Sequence, residues 1–136
     1  YGSWFNIPYS IVYFYNVYGP REIATGKYAT LIALFKEKIK KNLPLTVVSP
    51  GTQKRNFTHV EDIISGLMLV GEHGYGDDYG IGSPESYTIL EIAKLFNAQI
   101  EMLPERAGNR MTADVVTAKT EALGWYPKWS IKDYIK

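Results

Sequence analysis

Apolar residues along this chain gather in short runs, and the spacing inside the runs alternates between two kinds. The segment YSIVYFYNV, residues 9–17, is apolar almost throughout and rich in β-branched and aromatic side chains. Its lack of alternation predicts a strand buried on both faces, as in a parallel sheet. Gly19-Pro20 ends it. From Lys27 to Asn42 the positions Tyr28, Leu31, Ile32, Phe35 and Ile39 recur at helical spacing, with Lys36, Lys38, Lys40 and Lys41 as the solvated side. Pro44 follows, then LTVV, which reads as a short strand, then the loop SPGTQKRNF.

The segment VEDIISGLMLVGEHG predicts a second amphipathic helix, with Glu61 and Asp62 in its first turn where they suit the positive end of the helix dipole. DDYGIGS reads as a strand running into a turn. TILEIAKLF opens on a capping box, Thr88 with Glu91 three residues on. QIEML is a further strand and PERAGNRM a polar loop. Asp114 is expected to cap a helix ending at Gly124, and Ser130 with Asp133 forms a last capping box. Strands alternating with helices predict an α/β protein.

Composition narrows the function. The 136 residues suffice for one domain with a real core, and 46% hydrophobic with 21% charged residues is ordinary for a globular chain. A formal charge of +1 argues against a nucleic-acid binder held by bulk charge. The absence of cysteine excludes disulfides and thiolate metal sites. No run reaches the ~18 apolar residues of a membrane helix, so the expectation is a cytoplasmic protein without membrane contact. The first residue is Tyr1 and the last lies inside an apparent helix, so a piece of a longer protein is expected.

Several kinds of chemistry have no sequence support. GIGSPE supplies two glycines of a dinucleotide fingerprint, but Glu85 holds the third place. A tyrosine followed four places later by lysine occurs nowhere, and no nucleophile is set beside a base. His59 and His73 have no helical partner, so no metal site is expected; His59 reads as a packing or capping residue at a strand-to-helix junction. What remains is a set of polar residues in loops after strands, the zone where open α/β sheets bind ligands. Asn16 follows the first strand, Arg55 the second, and Arg106 the strand QIEML. Two arginines from distant loops can clamp a diphosphate. By spacing alone, Arg55 also reads as a surface charge and Arg106 as a partner of Glu105.

NVYGPRE, GTQKRNFTHVEDI, YGIGSPESYTILEIA and ADVVTAKTEALGWYPKWSIKD follow one another in this chain. In order and spacing they resemble the extended short-chain dehydrogenase/reductase family, the nucleotide-sugar epimerases and dehydratases, with a flavour close to the UDP-glucose 4-epimerase-like members. The resemblance covers nearly the whole chain from about Asn6. It implies that residues 1–136 form the C-terminal, substrate-binding region of a Rossmann-type enzyme, including one or two strands that complete the sheet. The catalytic Ser/Thr, the Tyr-x-x-x-Lys pair and most of the NAD site would then lie outside this chain, and the chain alone would be inactive.

The resemblance also implies roles. Asn16 matches an asparagine that reaches the diphosphate or sugar. Phe14 and Tyr15 match positions near the nicotinamide and the sugar. Val47 and Val48 match a short strand that brackets the base. Arg55 and Arg106 match two diphosphate contacts. The implied partner is a nucleotide-diphosphate sugar, the implied reaction epimerisation or 4,6-dehydration, and the implied assembly of the parent a homodimer. A non-catalytic nucleotide-sugar-binding module is the alternative from another class. Three departures bear on the substrate: Tyr13 where many members have arginine, Asn109 for aspartate, and Ser49-Pro50 for Gly-Asp.

Overall fold

The structure is a computed structural model in which residues 2–107 and 116–135 are described. The expected cap at Asp114 and the departure at Asn109 lie outside the described residues. The chain runs through α1 (Gly2–Phe5), β1 (Ser10–Tyr13), β2 (Val17–Tyr18), α2 (Leu31–Lys40), β3 (Leu45–Val48), β4 (Lys54–Asn56) and β5 (Thr58–His59). Then come α3 (Val60–His73), β6 (Gly76–Gly80), β7 (Ser86–Thr88), α4 (Ile89–Leu95), β8 (Ile100–Leu103), α5 (Ala118–Glu121) and α6 (Ile131–Ile135). The α/β expectation is met. β1 pairs with β6, β2 with β5 and β3 with β8, all parallel, and β4 pairs with β7 antiparallel.

The first apolar segment differs from its prediction. Instead of one strand buried on both faces, it forms two short strands on different partners, with residues 14–16 between them. Asn16 sits in the left-handed region at φ +50°, which asparagine tolerates better than the β-branched residues around it. That turn ends the pairing to β6 and lets the chain pick up β5. Ile11 and Tyr13 on β1 stay exposed.

The next helix begins later than its spacing suggests. Residues 22–30 turn back on themselves, with the Thr30 N–H donating to the Ile23 carbonyl, and α2 starts only after Thr30. Tyr28 is therefore left 77% exposed rather than on an apolar face. At the other end Asn42 has φ +53°. Its N–H donates to the Ile39 carbonyl and that of Leu43 to the Lys38 carbonyl, so two carbonyls of the last turn are satisfied before Pro44. Lys36 is not simply solvated, since its Nζ lies 3.7 Å from the centre of the Tyr134 ring. The capping box of α4 is present, with both Thr88 and Glu91 engaged.

Among the described residues, two apolar clusters hold these pieces together. The larger joins α2, β3, α4 and α6 through Ile32, Phe35, Leu45, Val47, Ile92 and Ile131. The smaller packs Ile63 of α3 on Ile81 and Trp125. Gly66 makes this second contact possible, because a Cβ there would stand 2.7 Å from the Ile81 Cδ1. No helix among the described residues is long and apolar enough to cross a membrane.

Candidate functional site

The left-handed turn at Asn16 decides where three consecutive side chains go. Phe14 and Tyr15 are exposed, and Tyr15 opens with Tyr13 onto a pocket of about 470 Å³ bordered by Asp78, Lys119 and Val116. Asn16 opens instead onto a separate pocket of about 390 Å³ with Glu22, Thr30, Ile32 and Phe57. Its carbonyl accepts the Thr58 N–H at 3.2 Å, which fixes the turn to the start of β5. β5 is braced in turn, since the buried Thr58 hydroxyl accepts the Ser83 N–H at 2.9 Å and the Asn56 amide donates to the Ser83 carbonyl at 2.6 Å.

The second pocket meets the first turn of α2. Thr30 stands at the N-cap position, yet its side chain makes no capping bond. Its hydroxyl donates to Glu22 Oε1 at 3.0 Å instead. The first N–H groups of a helix have no intrahelical acceptor and carry partial positive charge, so this wall of the pocket favours an anion. Burial raises the Glu22 carboxyl above its ordinary range, opposed by hydrogen bonds from Thr30 and the Gly19 backbone and by the charge of Lys36. Spacing gave no sign of the Glu22–Thr30 pair, because the two residues meet only through the irregular turn.

The remaining site candidates lie on β3, β4 and the loop after β8. Val47 is 1% exposed and belongs to the core, packed against Gly51, so of the two valines only Val48 has exposed surface. The Ser49 N–H donates to the Leu103 carbonyl, so the loops leading to Arg55 and to Arg106 leave the same end of the β3–β8 pair. Arg55 is half-buried on β4, opposite Tyr87, and its Nη1 donates to the Lys54 carbonyl at 2.7 Å. Arg106 is exposed.

A second cluster ties the C-terminal segment to this frame. His59 is the N-cap of α3, its Nδ1 accepting the Glu61 N–H at 3.1 Å, as the junction reading expects. It is buried under Trp129, with ring centres 4.1 Å apart and planes 11° off parallel. Asp62 does more than face a helix dipole. Its carboxylate accepts the N–H groups of Lys128 and Trp129, each at 3.0 Å, and its carbonyl accepts Trp125 Nε1 at 2.9 Å.

Comparison with known proteins agrees with this architecture. Residues 1–82 match the NAD dependent epimerase/dehydratase family. UDP-glucuronic acid decarboxylase 2 of Arabidopsis thaliana is 35% identical over 93% of this chain, which spans 30% of that protein. Among solved structures, UDP-glucose 4-epimerase with UDP-glucose from Thermotoga maritima superposes with a TM-score of 0.90 at 25% identity, over 99% of this chain and 46% of that one. UDP-glucuronic acid 4-epimerase from Bacillus cereus, in complex with UDP-glucuronic acid and NAD, gives 0.84 at 26% identity, over 98% and 45%. The chain thus spans less than half the length of each of these proteins, and it belongs to the NAD dependent epimerase/dehydratase family.

Proposed function

We propose that this chain forms the nucleotide-sugar side of an NAD-dependent sugar epimerase, with a UDP-sugar as its ligand. The observation that carries the reading is the pocket of about 390 Å³ shared by Asn16 and the uncapped first turn of α2. Asn16 reaches the diphosphate or the sugar, while Arg55 comes to the diphosphate from β4 and Arg106 from the loop after β8. A guanidinium presents a planar fork to two phosphate oxygens, so neither arginine is replaceable by lysine without loss. Val48 flanks the base, and Val47 contributes through its backbone. The likeness to epimerases solved with UDP-glucose and with UDP-glucuronic acid supports this reading.

Phe14 and Tyr15 fit part of NAD, since their exposed aromatic faces suit a flat ring. When bound, NAD supplies removal of hydride from a sugar carbinol carbon and its return to the opposite face. The 136 residues contain no complete glycine fingerprint and no Tyr-x-x-x-Lys pair. The proposal therefore assigns the catalytic groups and most of the NAD site to chain beyond these residues, and it expects this chain alone to be inactive. Cytoplasmic location and assembly of the parent as a homodimer belong to the same proposal. The identity with a protein named as a UDP-glucuronic acid decarboxylase favours decarboxylation as the second reading.

In the full-length protein, Arg55→Ala and Arg106→Ala should each weaken UDP-sugar binding by about 1.5–3 kcal/mol, the range for charge-assisted hydrogen bonds. NAD affinity should barely change. Calorimetric titrations in which neither arginine affects the UDP-sugar, or both affect NAD, refute the assignment.

A further inference from the structure

We propose that the pocket bordered by Arg21, Lys36 and Lys40 is a second anion site, which takes a small phosphate ester or diphosphate. It measures about 320 Å³ and lies beside the pocket of Asn16. Among the described residues the two share Glu22 alone, and the inference does not rest on the nucleotide-sugar reading. Ala33, Lys36, Glu37 and Lys40 stand on one face of α2, three and four residues apart. The turn Gly19-Pro20-Arg21 and the Tyr134 ring of α6 complete the lining.

The lining carries three cations against two carboxylates, and both carboxylates are already engaged. Glu37 pairs with Lys41 at 3.5 Å, and Glu22 accepts the Thr30 hydroxyl at 3.0 Å. Burial also penalises the charged form of Glu22. Lys36 is held over the Tyr134 ring and acts on Glu22. Arg21 and Lys40 are exposed, and among the described residues neither makes an ion pair. The backbone singles out Arg21 as well. It has φ +68°, while the other described non-glycine residues with positive φ are Asn6, Asn16, Asn42, Asp78 and Asn97. Asparagine and aspartate tolerate that conformation, and arginine does so less readily. Strain of this kind is kept where a side chain has work to do. Here it sets a guanidinium, whose planar fork matches two phosphate oxygens, across the pocket mouth from the point charge of Lys40. The space exceeds that of one phosphate group, which leaves room for the rest of an ester or a second phosphate.

The test titrates inorganic pyrophosphate into the full-length protein by calorimetry, with UDP-glucose present in excess. The excess keeps pyrophosphate out of the Asn16 pocket, where a diphosphate could also enter. Pyrophosphate should bind, and more weakly as salt rises. Arg21→Asn and Lys40→Gln should each weaken it by about fivefold or more, and the double variant should show no binding. Arg21→Asn should leave Tm level or raise it, because asparagine accepts the left-handed backbone. No pyrophosphate binding at ~1 mM overturns the inference. Binding that is unchanged in both single variants also overturns it. So does an Arg21→Asn that lowers Tm while Lys40→Gln binds as the native protein does, since Arg21 would then serve the fold. If UDP-glucose itself does not bind, the nucleotide-sugar reading fails, and the two variants still decide the second site.

Discussion

Removing the Asp62 carboxylate should loosen the C-terminal segment by a predictable amount. The side chain is 3% exposed and accepts two backbone N–H groups from residues 128 and 129, each at 3.0 Å. Asp62→Ala deletes both bonds and leaves two donors unpaired. Hydrogen bonds to a charged group contribute about 1.5–3 kcal/mol each. Lys128 and Trp129 are themselves exposed, so their amides can reach water once the segment shifts, which places the expected loss near ~3 kcal/mol. The bonds from Trp125 Nε1 and Ser65 Oγ go to the Asp62 carbonyl and survive the substitution. Asp62→Asn retains one acceptor and should cost about half as much. With an unfolding entropy of about 2.1 cal/mol/K per residue, the Ala variant should melt ~10 °C lower. Urea unfolding followed by tryptophan fluorescence reads this through Trp125, which is buried against α3. A loss below about 1 kcal/mol for Asp62→Ala, or an equal loss for Asp62→Asn, would show that the carboxylate does not hold the segment.

The buried His59 gives a pH dependence. Burial lowers its folded pKa, with Glu61 and Asp62 partly offsetting the shift. The unfolded chain takes up a proton near pH ~6.5 that the folded chain resists. Stability is therefore full above that pH and falls as pH drops toward the folded value. His59→Asn keeps an acceptor at the N-cap and does not titrate, so its Tm should fall less between pH 7.5 and 5.5; parallel profiles would refute this. The purified 136-residue chain should also self-associate. Trp4, Phe5, Ile7, Ile11, Ile64, Leu67 and Met68 are all exposed, and β1 is paired along one edge alone among the described residues. Sedimentation velocity showing a single monomeric species at high concentration would contradict it.

The regular elements were legible because their signals are local. α3 and α4 announce themselves by period, and the Thr88–Glu91 box lies within four residues. The strand LTVV is found where its composition puts it. Asn16 stood out in the sequence as a polar residue at the end of a strand, and it opens onto a pocket. Val47 was paired with Val48 as a ligand contact, but neighbouring strand residues point to opposite faces, and this one faces the core. The late start of α2 was hidden because the turn over 22–30 interrupts a spacing that still looks helical. The bonds of Asp62 to residues 128 and 129 join positions 66 and 67 apart, and no local pattern carries that information.

The left-handed turn that divides the first apolar segment also sets an order of assembly. Among the described residues no strand pairs with its neighbour in a hairpin: Ser10 meets Gly76, Val17 meets Thr58, Leu45 meets Ile100 and Lys54 meets Thr88. Such a high contact order is the mark of slow folding, with the strands waiting on partners made much later. On a ribosome adding roughly 5–20 residues per second, β1 spends several seconds without its partner. β2 waits less, because β5 is complete at His59 while β6 ends only at Gly80. Because residues 14–16 break the segment, β2 can seat on β5 while β1 is still without its partner. An unbroken strand would force both halves to wait for the later partner, and would leave Tyr18, one of the most deeply buried side chains, in water for that interval.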